Sequence, residues 1–104
     1  IFFAREDGAS NLRFQIADGK AYGALGLGMG SRALFNRAQE QPYFVEAVNG
    51  AFDGRLIPVP GGVLIRNASS DILGVVGVSG DNSDNDEAAA IAGIESIDLV
   101  ADAG

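Results

Sequence analysis

The sequence predicts an α+β domain with mostly antiparallel strands, and three observations predict it. Short β-branched runs bounded by turn residues crowd the second half of the chain, at Arg55–Val59, Gly62–Arg66 and Leu73–Val78. Stretches with apolar residues at helical spacing stand before and after them. No repeat or low-complexity linker interrupts the 104 residues, so residues 1–104 read as a single domain with one core.

Ile1–Arg5 is apolar enough for a first strand, and Glu6-Asp7-Gly8 has the chemistry of a tight turn. Ser10 or Asn11 is then placed to cap a helix running to about Leu25, with Leu12, Ile16, Ala17, Ala21 and Ala24 at helical spacing. Gly19 and Gly23 on that helix let another backbone approach, either the sheet or a partner subunit.

Gly26-Leu27-Gly28-Met29-Gly30-Ser31 has the glycine content of a dinucleotide loop. That loop needs a strand before it and a further glycine where Ser31 stands, so a helix C-cap and turn is the better reading. Ser31 caps a short helix over Arg32–Gln39, and Pro42 starts another turn of helix through Val48, ended by Asn49-Gly50.

Arg55–Val59 and Gly62–Arg66 read as strands separated by a bend, because Pro58 and Pro60 cannot sit inside a hydrogen-bonded ladder. Asn67–Asp71 is a polar hairpin loop. Leu73–Val78, glycine-spaced and β-branched, has the composition of a central strand buried on both faces. Gly80 ends it.

Asn82 or Ser83 then caps a last helix. Ser83 with Asp86 is a capping-box variant, and Ala88, Ile91, Ile94 and Ile97 or Val100 form its apolar stripe. Asp98–Gly104 reads as a frayed end.

Fourteen acidic against seven basic residues give a net charge of −7, with the basic residues scattered singly. A nucleic acid or an anionic membrane requires a cationic patch, so neither is an expected partner. The chain has neither cysteine nor histidine. Disulfides, thiolate or imidazole zinc sites, the Ser-His-Asp triad and the usual proximal haem ligand are therefore all excluded. Gly77-Val78-Ser79-Gly80-Asp81 approaches a nucleophile elbow but lacks the last glycine and any imidazole base. Ser79 and Gly80 read instead as a tight turn with backbone N–H groups at a helix start, a place that binds an anion. Asp84, Asp86 and Glu87, beside Asp81, repel an anion and suit a hard cation or ferric iron. The plainer reading is a set of solvated helix caps.

Gly77–Gly93, GVSGDNSDNDEAAAIAG, resembles the closing motif of the GlcG/HbpS-like family, the DUF336 or haem-binding uptake domain also found at the C-terminus of PduO proteins. Lys20-Ala21-Tyr22-Gly23-Ala24 resembles the family's Lys-Ala-Tyr-Thr-Ala helix, and Pro60–Ile65 its Gly-Gly-Val-Pro-Ile strand, in matching order. Nearly the whole chain is covered. The resemblance implies a bacterial protein with a profilin-like α/β/α fold, helices packed on an antiparallel five-stranded sheet. It also implies a helix and strand ahead of Ile1, so the domain reads as N-terminally incomplete. A signal peptide and the compartment, cytoplasmic or secreted, stay unread.

It implies, too, a pocket for haem, iron or another small molecule, and an even-numbered homo-oligomer such as a tetramer or octamer. The expected binding set is Lys20, Tyr22, Met29, Gly61, Gly62, Ser79 and Gly80. Lys20 is the only lysine; it meets a ligand carboxylate or, in the plainer reading, pairs with Asp86 across the core. Tyr22, Met29, Tyr43 and Lys20 are what remains as iron donors, and Phe2, Phe3, Phe14 and Phe35 read as core. No acid/base pair stands out, so the chain reads as a non-catalytic binding module. The alternatives are an accessory protein or enzyme of small organic-acid metabolism, with glycolate or diol substrates, and a purely structural oligomer.

Overall fold

In the computed structural model, which describes residues 1–104, the chain opens without regular structure. Ile1–Arg5 is not a strand. A strand persists only where another strand takes its N–H and C=O groups, and none pairs here. Phe2 and Phe3 are exposed rather than core, and Phe3 rests edge-on against Phe14 with ring centroids 4.6 Å apart.

Helix α1 spans Arg13–Leu27. No side chain caps its start: Leu12 holds the N-cap position, and Ser10 contributes only its backbone C=O to Arg13 N–H. Gly28 ends the helix in the left-handed region at φ 69°, the turn expected of the glycine-rich segment. Helices α2 (Ser31–Glu40) and α3 (Pro42–Ala51) follow. Ser31 is the first residue of α2 rather than its cap, because its Oγ is used elsewhere: it accepts the Gly62 N–H at 2.7 Å.

Arg55–Val59 forms no ladder. The segment folds back over α1 instead, where Gly19 and Gly23 leave room for Ile57 and Leu56. Those glycines are therefore filled from within the chain, and Ile57 N–H reaches the Gly19 C=O at 3.4 Å. Leu56 joins Leu34 and Val45 in one core, edged by Leu27, Met29, Phe44 and Phe52.

Strands β1 (Gly62–Arg66), β2 (Ile72–Gly77) and β3 (Val100–Asp102) make a three-stranded antiparallel sheet in the order β2-β1-β3. The central strand is β1. Strand β2 lies at an edge with Leu73 bulged and 57% exposed, so it is not buried on both faces. β3 occupies part of the segment read as a frayed end: Leu64, Ile65 and Arg66 pair with Asp102, Ala101 and Val100, and Arg66 Nε meets Asp102 at 2.8 Å.

Alternation along β1 sorts the layers. Gly62, with Gly77 beside it, faces α1, while Val63 packs on Ala90 and Ile94 of helix α4 (Ser83–Glu95). Helices therefore cover both faces of the sheet. The buried positions of α4 are Asp86, Ala90 and Ile94, whereas Ala88 and Ile97 are exposed; the helix is turned by the demand of Asp86 for the interior.

Two glycines test this packing. A Cβ on Gly77 would strike the Ala17 C=O and the Ala21 methyl, whereas one on Gly93, in mid-helix α4, meets nothing within 4 Å. Gly77→Ala is expected to destabilise by about 1–3 kcal/mol, and Gly93→Ala to stabilise by about 0.5–1 kcal/mol. Thermal melts of the two variants followed by circular dichroism check both signs.

Candidate functional site

Two ionisable side chains are buried, and they face each other. Lys20 comes from the middle of α1 and Asp86 from the first turn of α4, exposed by 2% and 3%. Lys20 Nζ donates to Asp86 Oδ2 at 3.0 Å and to the Val78 C=O at 2.9 Å. The other carboxylate oxygen, Oδ1, accepts from Gly80 N–H at 3.1 Å and Asp81 N–H at 2.9 Å. The ammonium and both carboxylate oxygens thus find partners within the chain.

Glycine is required where the lysine arrives. Gly61 has φ +123°, and a Cβ there would lie 2.9 Å from Lys20 Nζ and 2.8 Å from the Val78 oxygen. Lys20, Gly61, Gly62 and Gly80 of the expected binding set thus converge, but on one another. The backbone N–H groups at the start of α4, read as an anion site, are taken by the chain's own Asp86.

Ser83 and Asp86 form no capping box. Asn82 is the cap, its side-chain oxygen accepting from Asn85 N–H at 2.9 Å. Asp81 accepts from Asn82 N–H and from the Asn85 side chain, and these bonds, the backbone one first, hold its carboxyl below the usual range. A depressed carboxyl adds stability above its ordinary range, and this is lost as pH falls through the lowered value.

The rest of the expected set lies apart. Ser79 Oγ accepts from Arg13 at 3.3 Å. Met29 packs against the Leu34, Val45 and Leu56 core, and Tyr22 stands edge-on to Phe52 with the Arg55 guanidinium 3.6 Å from its ring centroid. Asp84, Asp86 and Glu87 do not converge, and no three acidic side chains form a metal-binding group. Asp84 and Glu87 grip Arg32 from two sides, at 2.6 Å and 3.0 Å, and these bonds, Glu87 first, raise its pKa.

Two open clefts remain. One, of about 310 Å³, lies among Arg32, Phe35, Val59, Pro60, Ser83 and Asp84. Another, of about 390 Å³, lies between α1 and the loop that crosses it, lined by Leu12, Gln15, Ile16, Asp18, Gly54, Arg55 and Ile57. In the second, Arg55 is paired with Asp18 alone, at 2.9 Å, and that bond raises its pKa. The sequence reading missed both arginines. Neither stands in a motif, so the sequence offered no signal for them.

Helices on both faces of an antiparallel sheet, locked at one corner by a buried lysine–aspartate pair, define a small α+β domain. Residues 1–95 match the model of the family described as haem degrading protein HbpS-like, and the chain belongs to that family. A comparison with curated proteins finds no match. No helix is long and apolar enough to cross a membrane.

Haem asks for an apolar slot with an axial donor in its wall. Lys20 is bonded to Asp86, Met29 is packed in a core, Tyr22 is pressed between Phe52 and Arg55, and Tyr43 stands exposed on α3. None of the four lines either cleft. The residues of one chain do not fit an axially ligated haem.

Lys20→Met leaves Asp86 buried without its countercharge and is expected to cost about 3–5 kcal/mol. Removing both charges in Lys20→Met/Asp86→Leu should recover part of that loss. Chemical denaturation of the single and double variants measures it, and equal losses in both would contradict the pairing.

Proposed function

We propose that the chain is a non-catalytic small-ligand module of the HbpS-like family, that its ligand is an apolar molecule bearing a carboxylate, and that it works as an even-numbered homo-oligomer. The observation that carries this reading is the cleft at Arg55. Leu12, Ile16 and Ile57 supply apolar wall there, and Asp18 engages one nitrogen of the guanidinium, leaving other donors for an acid group. Tyr22, from the expected binding set, lies beneath the same guanidinium. The Arg32 cleft serves an anion less well, because two carboxylates already meet its arginine.

Haem enters through the family's description, and its two acid groups on an apolar ring are of the required chemistry. In this chain the acid groups and ring contact would hold it, with iron unligated by any side chain. Catalysis has little support. The buried pair is neutralised internally, and no general base stands free at either cleft. Haem degradation, named in the family description, and small organic-acid metabolism are the enzymatic alternatives.

Titrations with hemin, metal-free protoporphyrin, glycolate, lactate and a corrinoid separate these readings. The expected outcome is that both porphyrins bind alike and that Arg55→Gln weakens them about tenfold. Tight binding of hemin alone, or affinity untouched by Arg55→Gln, would overturn the site. A Soret band that decays with time would favour the enzyme.

A further inference from the structure

The Arg55 cleft bears an acid as well as a base, and that pairing limits what it can hold. Asp18 and Tyr22 stand one turn apart on the same side of α1, and Arg55 reaches both from the segment that crosses the helix. The Tyr22 ring covers one face of the guanidinium, its centroid 3.6 Å from Cζ. The acid group of a ligand is therefore led to the edge of the guanidinium plane.

That edge has a fixed set of places. A guanidinium offers two forked edges, Nε with Nη2 and Nη1 with Nη2. Asp18 accepts one hydrogen of Nη2 at 2.9 Å, the single hydrogen bond that the Arg55 side chain makes within the chain. Because Nη2 lends one hydrogen to each edge, one edge is engaged and the other stays whole. A whole edge takes one carboxylate through two parallel bonds.

A phosphate fits the same edge in shape, so charge has to separate the two acids. A carboxylate brings one negative charge, whereas a phosphate monoester carries close to two above its second pKa of about 6. Asp18 already meets Arg55 at contact distance, Asp53 adds to the negative field there, and the chain as a whole carries −7. Arg55 is also the one basic residue that lines the cleft. The second charge of a phosphate would thus face Asp18 across the shared nitrogen with no cation of its own. Resting on the reading of this cleft as the ligand site, we propose that Asp18 is its specificity-determining residue, selecting a singly charged carboxylate against a doubly charged head group such as a phosphate. A charge set against the wrong ligand discriminates without adding any contact to the right one.

Calorimetric titration at pH 8 with octanoate and octyl phosphate, which share one apolar tail, tests this. The chain is expected to hold octanoate about tenfold more tightly than octyl phosphate. Asp18→Asn keeps an oxygen for the bond from Arg55 while removing the charge, and should cut that preference about fivefold or more. An equal or greater affinity for octyl phosphate, or a preference unmoved by Asp18→Asn, would overturn the role of Asp18 alone if Arg55→Gln still weakens octanoate. Octanoate affinity untouched by Arg55→Gln would overturn the cleft as the ligand site, and the role of Asp18 with it.

Discussion

The Lys20–Asp86 pair is the constraint on which the rest of the structure depends. It joins the middle of α1, the end of β2 and the first turn of α4, three elements far apart in the sequence. Burying two charges is costly unless they are paired and hydrogen-bonded, and here the ammonium has two acceptors and each carboxylate oxygen has a donor. Much of the nearby sequence follows from that demand. Gly61 must lack a side chain so that the ammonium can arrive, Gly80 and Asp81 must present their N–H groups, and α4 must turn Asp86 inward at the expense of a tidier apolar stripe.

The helices, the β1–β2 hairpin and the start of α4 were legible because each rests on local chemistry: apolar spacing, an asparagine cap, a glycine where the chain must turn left-handed. What failed was whatever depended on a partner. Ile1–Arg5 and Arg55–Val59 have strand composition but no ladder to join, and the second finds its place by lying on the glycines of α1. Val100–Asp102 has only three residues of pattern and becomes a strand because β1 has a free side. The five strands implied by the family resemblance compare with three in the structure.

The site divides along the same line. That Lys20 meets Asp86 could be read from a lone lysine and an acidic helix start. That the pair closes on itself could not, since only the fold shows Val78 and the two N–H groups completing the shell. Arg32 and Arg55 carried no motif, and their placement in clefts comes from how distant segments cross. Membership of a family described by haem carries no ligation mode to this chain, because histidine and cysteine are absent from its sequence.

The strand order β2-β1-β3 also bears on how the chain is made. β1 gains β2 at once through a short hairpin, but its other neighbour is synthesised only after all of α4. Until β3 emerges, one side of the central strand is bare and the start of α2 lacks its tie to the Ala103 C=O. A nascent chain therefore holds a hairpin whose β1 side is open, a state prone to pairing with its neighbours. Synthesis through residue 103 closes that side and completes the contact that seats α2.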